Sequence, residues 1–166
     1  GDTYIAGNAT TTKSFYVGTS NLVVMQNGNV GIGTTTPNGL LSLYQASADV
    51  GISLGNSNAT MWTFGTDISD GSKFKIASSS ALGTNDRLTI NSDGNVGIGT
   101  TTPLSKLAVS GGMTIGANYN IAGPTNGLAI EGNVGIGTTG PISKLEIGSS
   151  GTTDAAQGKS TVFIAS

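Results

Sequence analysis

Residues able to do chemistry are sparse in this chain, and each candidate has to be weighed against a plainer role. The 166 residues include no histidine and no cysteine, which removes the commonest catalytic base, thiolate nucleophiles and disulfides. A glycine-rich loop, GNVGIGT at 28–34, has the look of a phosphate cradle. A phosphate loop, however, needs Lys before the Ser/Thr and a helix behind it, whereas Gly33 is followed by Thr34, more threonine and Pro37. A dinucleotide fingerprint fails similarly, lacking the third glycine and the helix. Asp93 in NSDGN opens like a calcium loop, but Thr100 stands where the bidentate Glu should be, so a turn aspartate is the better reading.

Ser-Lys pairs occur at 72–73, 105–106 and 143–144. Neighbours on a strand point to opposite faces, so these serines are not activated by the adjacent lysines. Asp67 and Asp70 could serve as a glycosidase carboxylate pair, yet they sit in the Gly/Ser-rich turn ISDGS and read as solvated turn residues. Trp62 is the one candidate ligand platform, since aromatic faces bind sugars. Alternating with Phe64, it also fits a small aromatic core. Asn8 and Asn58 match the glycosylation sequon in a chain rich in Asn and Thr. These candidates do not make an enzyme, and no metal or cofactor is expected.

The elements that hold these residues are repetitive. GNVGIGTTTP at 28–37 recurs unchanged at 94–103 and returns as GNVGIGTTGP at 132–141, and a recurring unit of this kind means repeat architecture. Each copy has the same grammar. A short strand (LVVM at 22–25, RLTI at 87–90, GLAI at 127–130) leads into a turn bearing Asn27-Gly28, Asp93-Gly94 or the weaker Glu131-Gly132. Asn-Gly and Asp-Gly suit tight two-residue hairpins because both central residues take positive φ. NVGIG then alternates Val and Ile with glycine, and Thr-Thr-x-Pro closes the strand, because proline cannot donate to a ladder. A last strand (LLSLY at 40–44, SKLAV at 105–109, SKLEI at 143–147) is expected to pair antiparallel, with Leu107, Val109, Leu145 and Ile147 buried and Lys106, Lys144 and Glu146 wet.

Composition agrees with β-structure. Glycine numbers 27, charged residues are 10% and aromatics 5%, a mixture poor in helix formers but too apolar, at 36% hydrophobic, for disorder. The net charge of −2, with isolated Lys and Arg, offers no basic patch for nucleic acid. No apolar run approaches a membrane span of about 20 residues. A start at Gly1 and an end inside the strand-like VFIAS suggest a fragment or processed product.

The cassettes GNVGIGTT-x-P, preceded by strands such as DRLTINSD and followed by SKLAVSGG, resemble the repeats of trimeric phage tail fibres and long bacterial surface fibres. Such repeats often lie upstream of a self-cleaving intramolecular chaperone domain, whose Ser-Asp…Arg-Leu-Lys signature is missing from this stretch. The resemblance covers 22–43, 87–112 and 127–148 and extends less sharply to MWTFGTDISDGSKFKIASSS. It implies an elongated homotrimer, exposed outside a cell or on a virion.

The fold expected is therefore all-β: an elongated homotrimeric fibre with a small β-sandwich-like knob. Residues 1–44 form an N-terminal stalk with the first cassette, 45–91 an aromatic-cored knob, 92–148 a stalk with two further cassettes, and 149–166 the start of another β segment. Trimer packing falls to Val30, Ile32, Val96, Ile98, Val134 and Ile136. The glycines between and after them (Gly31, Gly33, Gly97, Gly99, Gly135, Gly137) let another backbone approach closely. Three chains would bury six branched side chains per layer, about 9–18 kcal/mol gross. A lone cassette has a third of that and must still order its backbone. The expected function is mechanical, extending and presenting adhesive parts. Alternatives are a glycan- or receptor-binding module around Trp62 or an inter-chain groove, and part of a tail-spike depolymerase. A monomeric β-solenoid also stays open, although cassette intervals of 66 and 38 residues fit uniform coils poorly.

Overall fold

The computed structural model describes residues 22–55 and 61–148, together with the backbone of 15–17. The start of the expected N-terminal stalk (1–14), the segment 149–166 and both sequons lie outside these residues. The described chain is all-β. It divides into two units, 1–108 and 109–166.

The first unit holds two sheets. Strands β1 (Phe15–Val17), β2 (Leu22–Val24), β3 (Val30–Ile32) and β4 (Leu41–Leu43) pair in chain order. A second sheet follows in chain order as well: β5 (Val50–Gly55), β6 (Met61–Asp67), β7 (Lys73–Ala77), β8 (Asp86–Ile90), β9 (Val96–Ile98) and β10 (Leu107–Val109). The aromatic block and the second cassette thus share one six-stranded sheet. A single turn of 3₁₀ helix, Ile68–Asp70, joins β6 to β7 and is capped by the Asp67 side chain. In the second unit β11 (Met113–Ile115) pairs with β12 (Leu128–Ile130), and β13 (Val134–Ile136) with β14 (Leu145–Ile147).

Local chemistry explains the turns, with one difference from expectation. In the first two cassettes only the glycine takes positive φ, +90° at Gly28 and +75° at Gly94. Gly28 N donates to Met25 O and Met25 N to Asn29 O; Gly94, Asn91 and Asn95 repeat the pattern. That is a three-residue hairpin loop with glycine in the left-handed position, not a two-residue turn. Where Glu131 replaces Asn or Asp, β12 pairs in parallel with β11, and no pairing of β12 with β13 occurs among the described residues.

The strand after each proline was expected to be antiparallel, but β4 runs parallel to β3 and β14 parallel to β13. Parallel strands usually need a crossover of about a dozen residues or more, and here 33–40 and 137–144 suffice. A shared clamp makes the short return work. The cassette asparagine donates through Nδ2 to the proline carbonyl in all three copies: Asn29 to Pro37 at 3.3 Å, Asn95 to Pro103 at 3.2 Å and Asn133 to Pro141 at 2.9 Å.

Candidate functional site

Register decides what each sheet face carries. Direct cross-strand partners share a face, and in the six-stranded sheet one row runs Ile52, Phe64, Ile76, Leu88, Ile98. The next runs Val50, Thr66, Phe74, Ile90, Val96, and Leu54 faces Trp62. This face is almost wholly apolar, and it is open. Leu54 is 60% exposed, Trp62 44%, Ile98 39% and Phe74 37%. In the first sheet Leu22, Val24, Val30, Ile32, Leu41 and Leu43 share a face in the same way. An open groove of about 410 Å³ on unit 1 is lined by Leu43, Tyr44, Val50, Ile52, Phe64 and Phe74 among others.

The opposite face of the six-stranded sheet is polar, and it is buried over β6–β9, while Gly51 and Ser53 at its β5 edge are exposed. Its row reads Gly51, Gly65, Lys75, Thr89, Gly97, flanked by Ser53, Thr63 and Ala77. Thr63, Asp67, Lys75, Ala77 and Thr89 are all buried, together with Leu82. At its centre Lys75 Nζ hydrogen-bonds Asp67 Oδ2 at 2.8 Å and lies 2.7 Å from Asp70 Oδ2. Asp86 Oδ2 is 2.9 Å from the same nitrogen, in ion-pair contact but without an aligned hydrogen bond. Asp67 Oδ1 accepts from Ser69 Oγ and the Asp70 backbone N–H. Burial alone would raise the Asp67 carboxyl, but hydrogen bonds from Lys75 and Ser69 prevail and hold it at about 2. Desolvation likewise opposes charge on Lys75, and the three carboxylates outweigh it and raise the ammonium above its ordinary value. Asp70 is lowered chiefly by its bond to Lys73.

This network corrects the reading of Asp67 and Asp70 as a solvated turn. Asp67 is fully buried, and Asp70 is tied to Lys73 at 2.8 Å. Lys75 and Asp86 escaped notice because each looks like one more isolated surface charge. The signal was in KFKIA, where Lys alternates with Phe and Ile on strands whose other polar positions are Gly, Ser, Thr and Asp.

The other candidates are dispersed. Trp62 lies on the open apolar face and is not enclosed in a core of its own. Ser105 and Ser143 donate to the carbonyls of Leu107 and Leu145, while Lys106 and Lys144 donate to those of Asp93 and Glu131, and Lys73 turns to Asp70 and Thr101 O. In the second unit Glu131 accepts from the backbone and the side chain of Asn118, which lower its carboxyl.

The cassette glycines have an intrachain explanation. A Cβ on Gly31, Gly97 or Gly135 would collide with the carbonyl of Thr34, Thr100 or Thr138, three residues on in the same chain. Gly33, Gly99 and Gly137 all take positive φ, and at Gly33 and Gly137 a Cβ would strike a carbonyl of the returning chain, Tyr44 O and Gly148 O. Val30, Val96 and Val134 are half-buried, whereas Ile32, Ile98 and Ile136 are exposed. Leu107, Val109, Leu145 and Ile147, expected to be buried, are exposed within the single chain. Among the described residues no group of His, Cys, Asp and Glu is placed to hold a metal ion, and no helix is long and apolar enough to cross a membrane. Compared with known proteins, the chain matches no family model and no curated protein sequence.

Proposed function

We propose that this chain is a segment of an extracellular homotrimeric fibre, carried on a virion tail or a cell surface, whose work is to extend and present adhesive parts. One observation supports this reading most strongly. The continuous apolar face of the six-stranded sheet is open, while the chain's own loops cover the polar face. Soluble single chains rarely expose an apolar surface of this extent unless it meets a partner. A second and third copy of the same face would cover it with matching chemistry and no charge to bury. In that arrangement Trp62, Phe64 and Phe74 supply packing surface between chains, which takes the place of an aromatic knob core.

Sedimentation velocity on the purified chain, repeated on dilution, tests this. A dilution-resistant mass near three times 16.4 kDa with a high frictional ratio is expected. A compact monomer of 16.4 kDa would overturn the proposal. The glycan reading is separated on the same preparation: Trp62→Ala should weaken assembly, whereas loss of a glycan-array signal from an intact trimer would make Trp62 a ligand platform.

A further inference from the structure

We propose that Lys75 and Asp86 condense into an intramolecular amide, an isopeptide cross-link between β7 and β8, with Asp67 as the proton relay. These groups lie on the buried face, apart from the surface proposed for the trimer. Lys75 and Asp86 are 2% and 3% exposed at their side chains and lie on adjacent strands, with Nζ 2.9 Å from Asp86 Oδ2. Holding amine and carboxyl in contact makes the condensation unimolecular, and excluding bulk water favours the side that releases water.

The three carboxylates are not equivalent, and the differences assign roles. Asp70 is partly exposed and already engaged by Lys73, which also donates to Thr101 O. Asp67 is fully hydrogen-bonded, Oδ1 by Ser69 and the Asp70 N–H, Oδ2 by Lys75, so it is held as an anion beside the amine. Asp86 alone is divided. Its Oδ1 accepts the Gly83 backbone N–H at 3.1 Å, which polarises the carbonyl, while its buried Oδ2 has no aligned donor. Oδ2 is therefore the leaving oxygen. Lys75 Nζ passes a proton to Asp67 Oδ2 and attacks Asp86 Cγ, forming the C–N bond. The C–Oδ2 bond then breaks, and Oδ2 leaves as water with the two protons shed by nitrogen, one returned through Asp67. An ammonium and a carboxylate become one amide and one water, with no oxidant or co-reactant. The remaining amide N–H stays on Asp67, and Lys73 still neutralises Asp70. The ionised pair is the resting state, so the condensation is a slow single turnover. In a chain without cysteine it supplies a covalent brace where no disulfide can form.

Intact-mass measurement of the denatured, purified chain tests this directly. The expected mass is one water below that of the sequence. Trypsin should leave peptide 74–87 uncut after Lys75 and lighter by one water. Asp86→Asn should lose one ammonia instead, and Lys75→Arg should show its full sequence mass. A wild-type chain of full sequence mass, cleaved normally after Lys75, overturns the proposal even if every variant misfolds. A water loss that links Lys75 to the peptide carrying Asp67 and Asp70 overturns the assignment of Asp86.

Discussion

Gly97→Ala should destabilise the first unit although alanine is ordinarily the better residue in a strand. Gly97 lies in β9 without positive φ, so the backbone itself accepts a side chain. Space is the obstacle. A Cβ there falls well inside contact distance of Thr100 O and 3.1 Å from Thr100 Cγ2. The carbonyl cannot rotate away like a flexible side chain, so residues 100–103 must shift as a body. Overpacking of this kind costs about 1–3 kcal/mol. The shift also pulls Pro103 O from Asn95 Nδ2, a hydrogen bond of about 0.5–1.5 kcal/mol. Against this, alanine removes unfolded-chain entropy worth about 0.4–1 kcal/mol. The balance is a loss of about 0.5–4 kcal/mol.

Urea unfolding followed by Trp62 fluorescence measures this loss, since Trp62 is the single tryptophan and lies in the same sheet. Gly39→Ala is the control. Its Cβ would meet nothing within 4 Å and its φ is not positive, so it should be neutral or slightly stabilising. Equal midpoints for the two variants would refute the intrachain explanation. If Gly97→Ala instead unfolds normally but sediments as a monomer, the glycine face admits another chain and not Thr100.

Two further outcomes follow from the same geometry. Asn95→Ala should cost about 0.5–1.5 kcal/mol by freeing Pro103 O, visible as a lower urea midpoint, while Asn38→Ala, directly after the first cassette and outside the clamp, should not. For acid, the folded Asp67 carboxyl at about 2 lies below its ordinary 3.8. A lowered carboxylate contributes stability that is complete above its unfolded pKa and lost as pH falls through the folded one. Stability of the uncondensed chain, in which Lys75 is still an ammonium, should therefore decline from about pH 4 towards pH 2 when measured by denaturant at successive pH, and Asp67→Asn should flatten that segment.

Much of the fold was legible because each cassette spells out its own turns. Asn27-Gly28 and Asp93-Gly94 marked two real hairpins, and Glu131-Gly132 marked the place where the hairpin pairing gives way to a parallel strand. The direction of β4 and β14 was not legible, because connections of this length ordinarily join antiparallel strands. Only the three-dimensional reach of Asn29 and Asn133 to a proline eight residues on shows how the chain returns in parallel. The candidate site was hidden for a different reason. Alternation identifies two faces but not which of them the chain itself buries. Val and Ile invite the assumption that theirs is the inner one, and that assumption made Lys75 and Asp67 look like surface residues.

The inversion has a physical logic that bears on the proposed assembly. A buried ammonium with three carboxylates is costly to strip of any one partner, on the order of 3–5 kcal/mol for a broken buried pair, so these groups must be satisfied before the chain meets anything else. Loops 68–72 and 78–85, carrying Asp70 and Gly83, together with Asp86 at the start of β8, do that within one chain. The apolar face has no such requirement. It gains from any dry partner of the same kind, because the hydrophobic effect is non-directional and scales with area. Polar pairing then fixes the strand register internally, while apolar area is left to drive association. Introducing a charge at Leu88, in the middle of the open row, should separate the two contributions. Leu88→Lys faces away from the network and should leave the unfolding midpoint of a dissociated chain nearly unchanged while abolishing the assembled mass. If it unfolds the monomer instead, the apolar face already has a partner within the chain, and the case for association from that face falls.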